Sequence, residues 1–193
     1  MQECVLNANH PKRKRKLETK RNSTLIWSSV ILILVLLSDQ LTKIWAVESL
    51  AGNSPTEVFG RFFMFTLVYN EGGAMGTNFG SSTYYLISSI FILMFVFYYI
   101  YANRNKAFFA YPMAFIAGGA IGNIIDRIRL GRVIDFLDFD FFDIRIGDYL
   151  IERWWTFNIA DAAITCSIVY LVIYMLFFHK SHHEINPPQP VTE

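Results

Sequence analysis

Four long apolar stretches divide the sequence, running over about residues 24–47, 82–102, 108–125 and 156–178. A helix that crosses a lipid bilayer needs about 20 mostly apolar residues. Each stretch meets that length, so the pattern predicts an integral membrane protein that is mainly α-helical, with four transmembrane helices. The third stretch is rich in small residues, which let helix backbones approach closely in lipid. We therefore expect the third helix to lie at the centre of the bundle.

Two longer connections separate the first helix from the second and the third from the fourth. The first, about residues 48–81, contains the run FFMFTLVY, whose aromatic and β-branched residues favour a strand. It continues into the glycine-rich NEGGAMG, which permits a tight turn. We expect a small β-platform here, on the outer membrane surface. The second, about residues 126–155, mixes acidic and aromatic residues, and we predict an outer loop whose part 137–155 is a mobile rim above a pocket.

Basic residues are concentrated in three segments that four crossings would place on one side. They are Lys12, Arg13, Lys14, Arg15, Lys16, Lys20 and Arg21 in the N-terminal segment, Arg104 and Lys106 in the short connection, and Lys180 near the C-terminus. Lys and Arg accumulate on the cytoplasmic side of membrane proteins. We therefore predict cytoplasmic tails over residues 1–23 and 179–193. The basic run could instead bind nucleic acid, but it adjoins a membrane span and the net charge is only +1, so no nucleic-acid partner is expected.

Four aspartates are predicted to meet near the outer ends of the helices. Asp39 lies late in the first apolar stretch, Asp126 follows the third, and Asp161 lies early in the fourth, while Asp135 falls in the last connection. Ionisable residues inside a membrane are costly and usually functional. Helices of opposite direction thus bring carboxylates to one depth, which indicates a site there.

The remaining reactive residues restrict the chemistry of that site. The histidines are His10, His179, His182 and His183, all in the predicted tails, so no outer Ser-His dyad, HExxH motif or other metal site is predicted. Cys4 and Cys166 fall at different levels and form no cluster. No cofactor is expected. Carboxylates remain, and two aspartates that share one proton can activate water and protonate a leaving amine.

Structural roles are an alternative for most of these acids. Asp39 and Lys43 are four residues apart and can pair on one helix face. Asp126 adjoins Arg127 and can form a structural ion pair, and Asn123 can satisfy nearby backbone groups. Asp135 can be a turn residue or a cap, whereas Asp161, alone in an apolar helix, is hardest to explain structurally. We interpret a separate acidic group as a solvated face: Asp138, Asp140 and Asp143.

Five short motifs follow one another along the four-helix pattern. They are Asp39–Lys43 (DQLTK), Asn70–Ala74 (NEGGA), Gly122–Arg127 (GNIIDR), Val133–Phe136 (VIDF) and Phe157–Asp161 (FNIAD). In this order they resemble the motifs of the lipoprotein signal peptidase family, also called signal peptidase II, aspartic peptidases that cut inside the membrane. The resemblance covers about residues 24–178. Gly73 stands where alanine is more usual, and residues 137–155 are longer than in many members.

The resemblance implies a function and a set of site residues. Asp135 and Asp161 would form the catalytic dyad. Pocket support or substrate binding would come from Asp39, Lys43, Asn70, Gly72, Asn123, Asp126, Arg127 and Asn158. The substrate would be a bacterial prolipoprotein whose cysteine carries diacylglyceryl, cut just before that cysteine. The enzyme would be a monomer among the lipids of the bacterial cytoplasmic membrane, with its active site near the outer face.

Two other classes of protein also fit an intramembrane acidic cluster. A small transporter or channel could use the acids as an ion relay. However, the predicted acids occupy only the outer third of the helices and mark no pathway across the membrane. A membrane scaffold without catalysis would need no paired Asp135 and Asp161, so their joint replacement would be silent.

Overall fold

The structure is a computed structural model that describes residues 11–73, 80–140, 144–146, 149–151 and 153–178. Its helices are α1 (Pro11–Leu50), α2 (Ser82–Ala102), α3 (Ala107–Leu130) and α4 (Ile159–Phe178). Its strands are β1 (Thr56–Phe59), β2 (Phe63–Asn70), β3 (Val133–Phe139), β4 (Ile144–Ile146) and β5 (Tyr149–Ile151). The four histidines, Cys4, Ala74 and Asp143 lie outside the described residues.

All four helices are long and apolar enough to cross a membrane. Large apolar side chains such as Leu37, Phe91 and Leu176 point outward and are more than half exposed, as expected for a lipid-facing surface. The predicted class, four transmembrane helices with a small sheet, is therefore confirmed. Helix α1 begins at Pro11, so the basic segment from there to residue 23 continues the first membrane helix.

Helix α3 lies at the centre of the bundle and packs against the other three helices, as its small residues predicted. Two glycines make this close packing possible. A Cβ atom on Gly118 would lie 2.7 Å from the carbonyl oxygen of Leu32 on α1. On Gly119 it would lie 2.6 Å from the carbonyl oxygen of Ala160 on α4. Any larger residue would push α3 away from one of its neighbours.

An antiparallel sheet in the order β1-β2-β3 lies at one end of the bundle. Strand β2 was expected, but β3 comes from the connection that was predicted to be a loop. Pairing of Val68 with Asp135 and of Asn70 with Val133 brings β3 along the whole of β2. Asp135 is therefore a strand residue and not a turn residue. The acids of VIDFLDF obscured this strand, since Asp is depleted in strands.

The third helix is longer than predicted and ends at Leu130, so Asp126 lies within α3 instead of after it. The helix stops at Gly131, whose φ of 70° is left-handed and whose N–H donates to the carbonyl of Arg127. Glycine adopts this conformation without steric cost. The chain then turns directly into β3, which fixes Asp135 close to the end of α3.

Both ends of the predicted rim, residues 137–155, are attached to the sheet. Leu137 and Phe157 exchange backbone hydrogen bonds of 2.8 and 3.0 Å, and the N–H of Trp154 donates to Phe139 at 3.0 Å. Within the rim, β4 and β5 form an antiparallel pair. The mobility of this rim stays a prediction.

Candidate active site

The ten predicted site residues come together in one hydrogen-bonded network at the sheet end of the bundle. Helix α1 contributes Asp39 and Lys43, α3 contributes Asn123, Asp126 and Arg127, and the start of α4 contributes Asn158 and Asp161. The sheet, with the turn after β2, contributes Asn70, Gly72 and Asp135. The four aspartates that were predicted to meet, Asp39, Asp126, Asp135 and Asp161, all belong to this network. The site closes only when all four of these segments are in place.

Lys43 is the buried centre of this network, with 1% of its side chain exposed. Its ammonium contacts Asp39 at 2.9 Å, Asp126 at 2.8 Å and the side-chain oxygen of Asn123 at 2.9 Å. An ammonium has three donors, and here each has its own acceptor. The predicted pairing of Asp39 with Lys43 is confirmed. Asp126 pairs with Lys43 and not with the adjacent Arg127. The structural ion pair between Asp126 and Arg127 was therefore a wrong prediction.

The carboxylates of Asp39 and Asp126 also hold the backbone beside the dyad. Asp39 accepts the N–H of Ala160 at 3.0 Å, and Asp126 accepts the N–H of Ile134 at 3.3 Å. Ala160 immediately precedes Asp161, and Ile134 immediately precedes Asp135. The Lys43 cluster therefore fixes the chain next to each dyad residue.

Gln40 is a member of this cluster whose role the sequence did not reveal. Its amide nitrogen donates to Asp39 at 3.2 Å and to Asp126 at 3.1 Å, which bridges α1 and α3. Its position in an apolar helix was a signal, since buried polar groups need partners. Gly122 faces the same cluster, because a Cβ atom there would collide with the carboxylate of Asp39.

Three carboxamides present their N–H groups to the dyad, and each is oriented by a partner that can only donate. The first is Asn123, whose oxygen faces Lys43, so its nitrogen faces Asp161 at 2.8 Å. This orientation follows from the donor inventory, because an ammonium cannot accept a hydrogen bond. The expectation that Asn123 serves backbone groups was wrong.

The other two carboxamides belong to Asn158 and Asn70. Asn158 accepts the N–H of Asp161 at 3.0 Å and therefore donates to Asp135 at 2.7 Å. Asn70 accepts the N–H of Gly72 at 2.9 Å and donates to the other oxygen of Asp135 at 3.0 Å. Asp135 thus receives two amide donors, and Asn158 contacts both members of the dyad.

The start of α4 places Asp161 in a capping box. Asn158 precedes the helix, its side chain accepts the N–H of Asp161, and the carboxylate of Asp161 accepts the N–H of Asn158 at 3.4 Å. This reciprocal arrangement satisfies two free donors of the first turn. The spacing of the two residues in FNIAD is therefore a helix-start signal as well as a site motif.

Burial and electrostatics prepare Asp135 to exchange a proton near neutral pH. Its side chain is 1% exposed. Burial first, and then the nearby charge of Asp161, raise the pKa of Asp135 from 3.8 to about 7, against the opposing effect of the hydrogen bonds from Asn70 and Asn158. Two close carboxylates share a proton instead of ionising together. The arrangement can therefore supply one acid and one base to a single water molecule.

Arg127 connects the site to the turn after β2. Its guanidinium donates to the carbonyl of Gly72 at 3.0 Å and lies 5.9 Å from the ring centroid of Tyr85 on α2. The Nε atom of Arg127 is buried and has no hydrogen-bond partner among the described residues. A buried donor without a partner is costly, so this group is suited to a ligand carbonyl. Tyr85 had no signal in the sequence.

The expected solvated acidic face is wrong for Asp138, which is 7% exposed. Asp138 accepts hydrogen bonds from Thr66 at 2.7 Å and from Arg153 at 2.9 Å, and Asp140 also pairs with Arg153 at 3.2 Å. The sequence could not show this because the partners lie on β2 and beyond the β4–β5 pair. Asp143 lies outside the described residues.

Comparison with known proteins decides the family. The family model described as signal peptidase (SPase) II matches residues 31–177. The chain belongs to the signal peptidase II family. The resemblance drawn from the five motifs is thereby confirmed.

Individual relatives agree over most of the chain. A lipoprotein signal peptidase of Clostridioides difficile is 35% identical over 151 residues, which cover 78% of this chain and 95% of the relative. One from a Janthinobacterium species is 38% identical over 155 residues, covering 78% and 88%. A solved bacterial membrane enzyme superposes with a TM-score of 0.69 at 28% identity, covering 83% of this chain and 94% of that one.

The raised pKa of Asp135 predicts a pH-dependent effect of Asp135→Asn on stability. The pKa of Asp135 is higher in the folded protein than in the unfolded chain. The free energy of unfolding therefore falls as pH rises from about 4 to about 7, because the folded state disfavours the ionised carboxylate. One pKa unit corresponds to about 1.4 kcal/mol, so the ionised form costs roughly 4 kcal/mol. The variant loses an acceptor, worth about 1 kcal/mol. It should therefore be more stable than the parent at about pH 8.5, but not at about pH 4.

Thermal unfolding in detergent at both pH values measures this difference. Glu57→Gln, at an exposed position of β1, is the matched control. Its stability relative to the parent should be the same at both pH values. An Asp135→Asn variant whose stability relative to the parent did not change with pH would refute the raised pKa.

Proposed function

We propose that this chain is an aspartic endopeptidase that removes signal peptides from diacylglyceryl-modified prolipoproteins, cutting before the lipidated cysteine. The observation that carries the proposal is the pair formed by the buried Asp135 and the partly buried Asp161. Asn158 bridges the two, and the side-chain amides of Asn123, Asn158 and Asn70 donate to their carboxylates. Family membership and relatives named lipoprotein signal peptidase support the substrate class.

In the proposed mechanism, Asp135 and Asp161 act as one acid–base unit. The ionised carboxyl removes a proton from water, which attacks the carbonyl carbon of the scissile bond. The protonated carboxyl donates its proton to the carbonyl oxygen, which gives a tetrahedral diol. The carboxyl that took the proton from water then donates it to the leaving amine as the C–N bond breaks, and the other carboxyl takes back a proton from the diol. The amides of Asn123, Asn158 and Asn70 hold the carboxyls in the required orientation throughout.

The supporting residues divide between positioning and substrate binding. Asp39, Lys43 and Asp126 position the dyad through the backbone of α4 and β3. Arg127, with its unpartnered Nε and its bond to Gly72, binds a substrate carbonyl beside the dyad.

We place the enzyme in the bacterial cytoplasmic membrane, with both termini in the cytoplasm and the site near the outer face. The basic residues at the start of α1 and between α2 and α3 support this orientation. A substrate anchored by its own lipid keeps the scissile bond near the interface, where the polar helix ends admit water. All site groups come from one chain, so we propose a monomer surrounded by membrane lipid.

Purified protein should cleave a diacylglyceryl-modified precursor immediately before its cysteine, and Asp135→Asn or Asp161→Asn should abolish turnover. Each substitution keeps the size and polarity of the side chain but removes the titrating group, so losses of at least about a thousandfold are expected. Product masses identify the cleaved bond. Glu57→Gln is the matched carboxylate-to-amide control and should retain activity. Appreciable cleavage by either folded dyad variant would show that the wrong pair was chosen.

The orientation predicts the behaviour of reporter fusions. A reporter that is active only outside the cytoplasm should work when it is fused after residue 77, within the first outer connection, and fail when it is fused after Glu193. A cytoplasm-specific reporter at the same two positions should give the reverse pattern and serves as the control. Activity of the first reporter only after Glu193 would place the dyad on the cytoplasmic side.

A further inference from the structure

A cavity of about 510 Å³ lies directly beside Asp135, on the sheet and away from the helices. One wall is the end of β2 and the following turn, residues 68–72, and the other is the returning segment, residues 153–156. Its volume falls within the range of about 300–1,000 Å³ typical of ligand pockets. Asp135 is the member of the dyad that faces it.

None of the residues that line this cavity belongs to the four membrane-crossing helices. The apolar signal peptide and the acyl chains of a substrate remain among those helices, because removing them from lipid is unfavourable. The part of a precursor that leaves the membrane begins after the lipidated cysteine. The cavity lies on the sheet beside Asp135, where we expect that part to pass.

The second wall is held in place by Arg153. Its guanidinium donates to Asp138 at 2.9 Å, to Asp140 at 3.2 Å and to the carbonyl of Arg61 at 2.8 Å. Asp138 is itself fixed by Thr66 on β2. These bonds, which we call the Arg153 clasp, fasten the segment after the β4–β5 pair to the strand that carries Asp135.

The clasp positions Trp154 and Trp155, which follow it directly. Their rings meet edge to face with centroids 5.3 Å apart, and both residues are half-buried at the cavity wall. Tryptophan presents a large, rigid contact area at low conformational cost and is enriched where peptides bind. The opposite wall offers a strand end and Glu71, so the cavity combines aromatic faces with polar groups.

We propose that this cavity is a subsite for the short polypeptide segment that follows the lipidated cysteine, with Trp154 and Trp155 as its binding wall and Arg153 as its positioning residue. The proposal rests on the proposed function, because it assumes a precursor cut before that cysteine. In this proposal the long stretch after Leu137 helps to recognise the part of the substrate that follows the lipidated cysteine. Substrate preference at the residues after the cysteine is thus set by this wall.

Two precursors that differ only beyond the cysteine test the subsite. Both carry diacylglyceryl; one keeps the mature segment, and the other ends one residue after the cysteine. For the parent protein, KM should be roughly tenfold higher for the short precursor. Trp155→Ala should raise KM for the long precursor by a similar factor, with kcat retained, and leave the short precursor unaffected. Arg153→Gln should act in the same direction, and Trp27→Ala, on the exposed surface of α1, is the matched control.

The comparison of substrates separates this subsite from a general structural role. Equal loss with both precursors in Trp155→Ala, or no loss with the long one, would overturn the subsite while leaving the proposed function intact. If the parent protein cleaved neither precursor, the proposed function would fail and the subsite with it.

Discussion

The ammonium of Lys43, enclosed by Asp39, Asp126 and Asn123, is the interaction on which the site depends. Each buried charge in this group has partners for its hydrogen-bonding groups, which is the condition for tolerating charges away from water. Removing one partner of such a cluster costs about 3–5 kcal/mol, because the others remain buried without compensation. The cluster therefore links α1 and α3 firmly. Its carboxylates also accept backbone hydrogen bonds from Ala160 of α4 and Ile134 of β3.

Close packing of the helices and orientation of the dyad are consequences of the same geometry. Gly122 lets the carboxylate of Asp39 lie against α3, where a side chain would collide with it. That approach brings Lys43 to the oxygen of Asn123, which turns the nitrogen of Asn123 towards Asp161. The orientation of an amide at the dyad is thus determined by a glycine and a lysine on two different helices. Burial then raises the pKa of Asp135 to about 7, as proton exchange at neutral pH requires.

Much of the fold and of the site could be predicted from patterns within short stretches of the sequence. The apolar stretches predicted the helices, and the isolated Asp161 in an apolar helix marked a site. The strand that carries Asp135 was missed because its acids are paired by residues distant in sequence: Asp138 depends on Thr66 and Arg153. The same limit explains the wrong partner for Asp126, since local spacing favoured the adjacent arginine over a lysine on another helix. Tertiary contacts, which no single stretch contains, decided these cases.

We propose that the framework brings Asp135 and Asp161 together as one acid–base unit. The most direct measurement is the turnover of a diacylglyceryl-modified precursor by both single Asn variants and by the double variant, each checked for folding in detergent. Groups that act as a unit are strongly non-additive. We expect the double variant to be no slower than the slower single variant, within error. Losses that multiply in the double variant would instead show that the two carboxylates act independently.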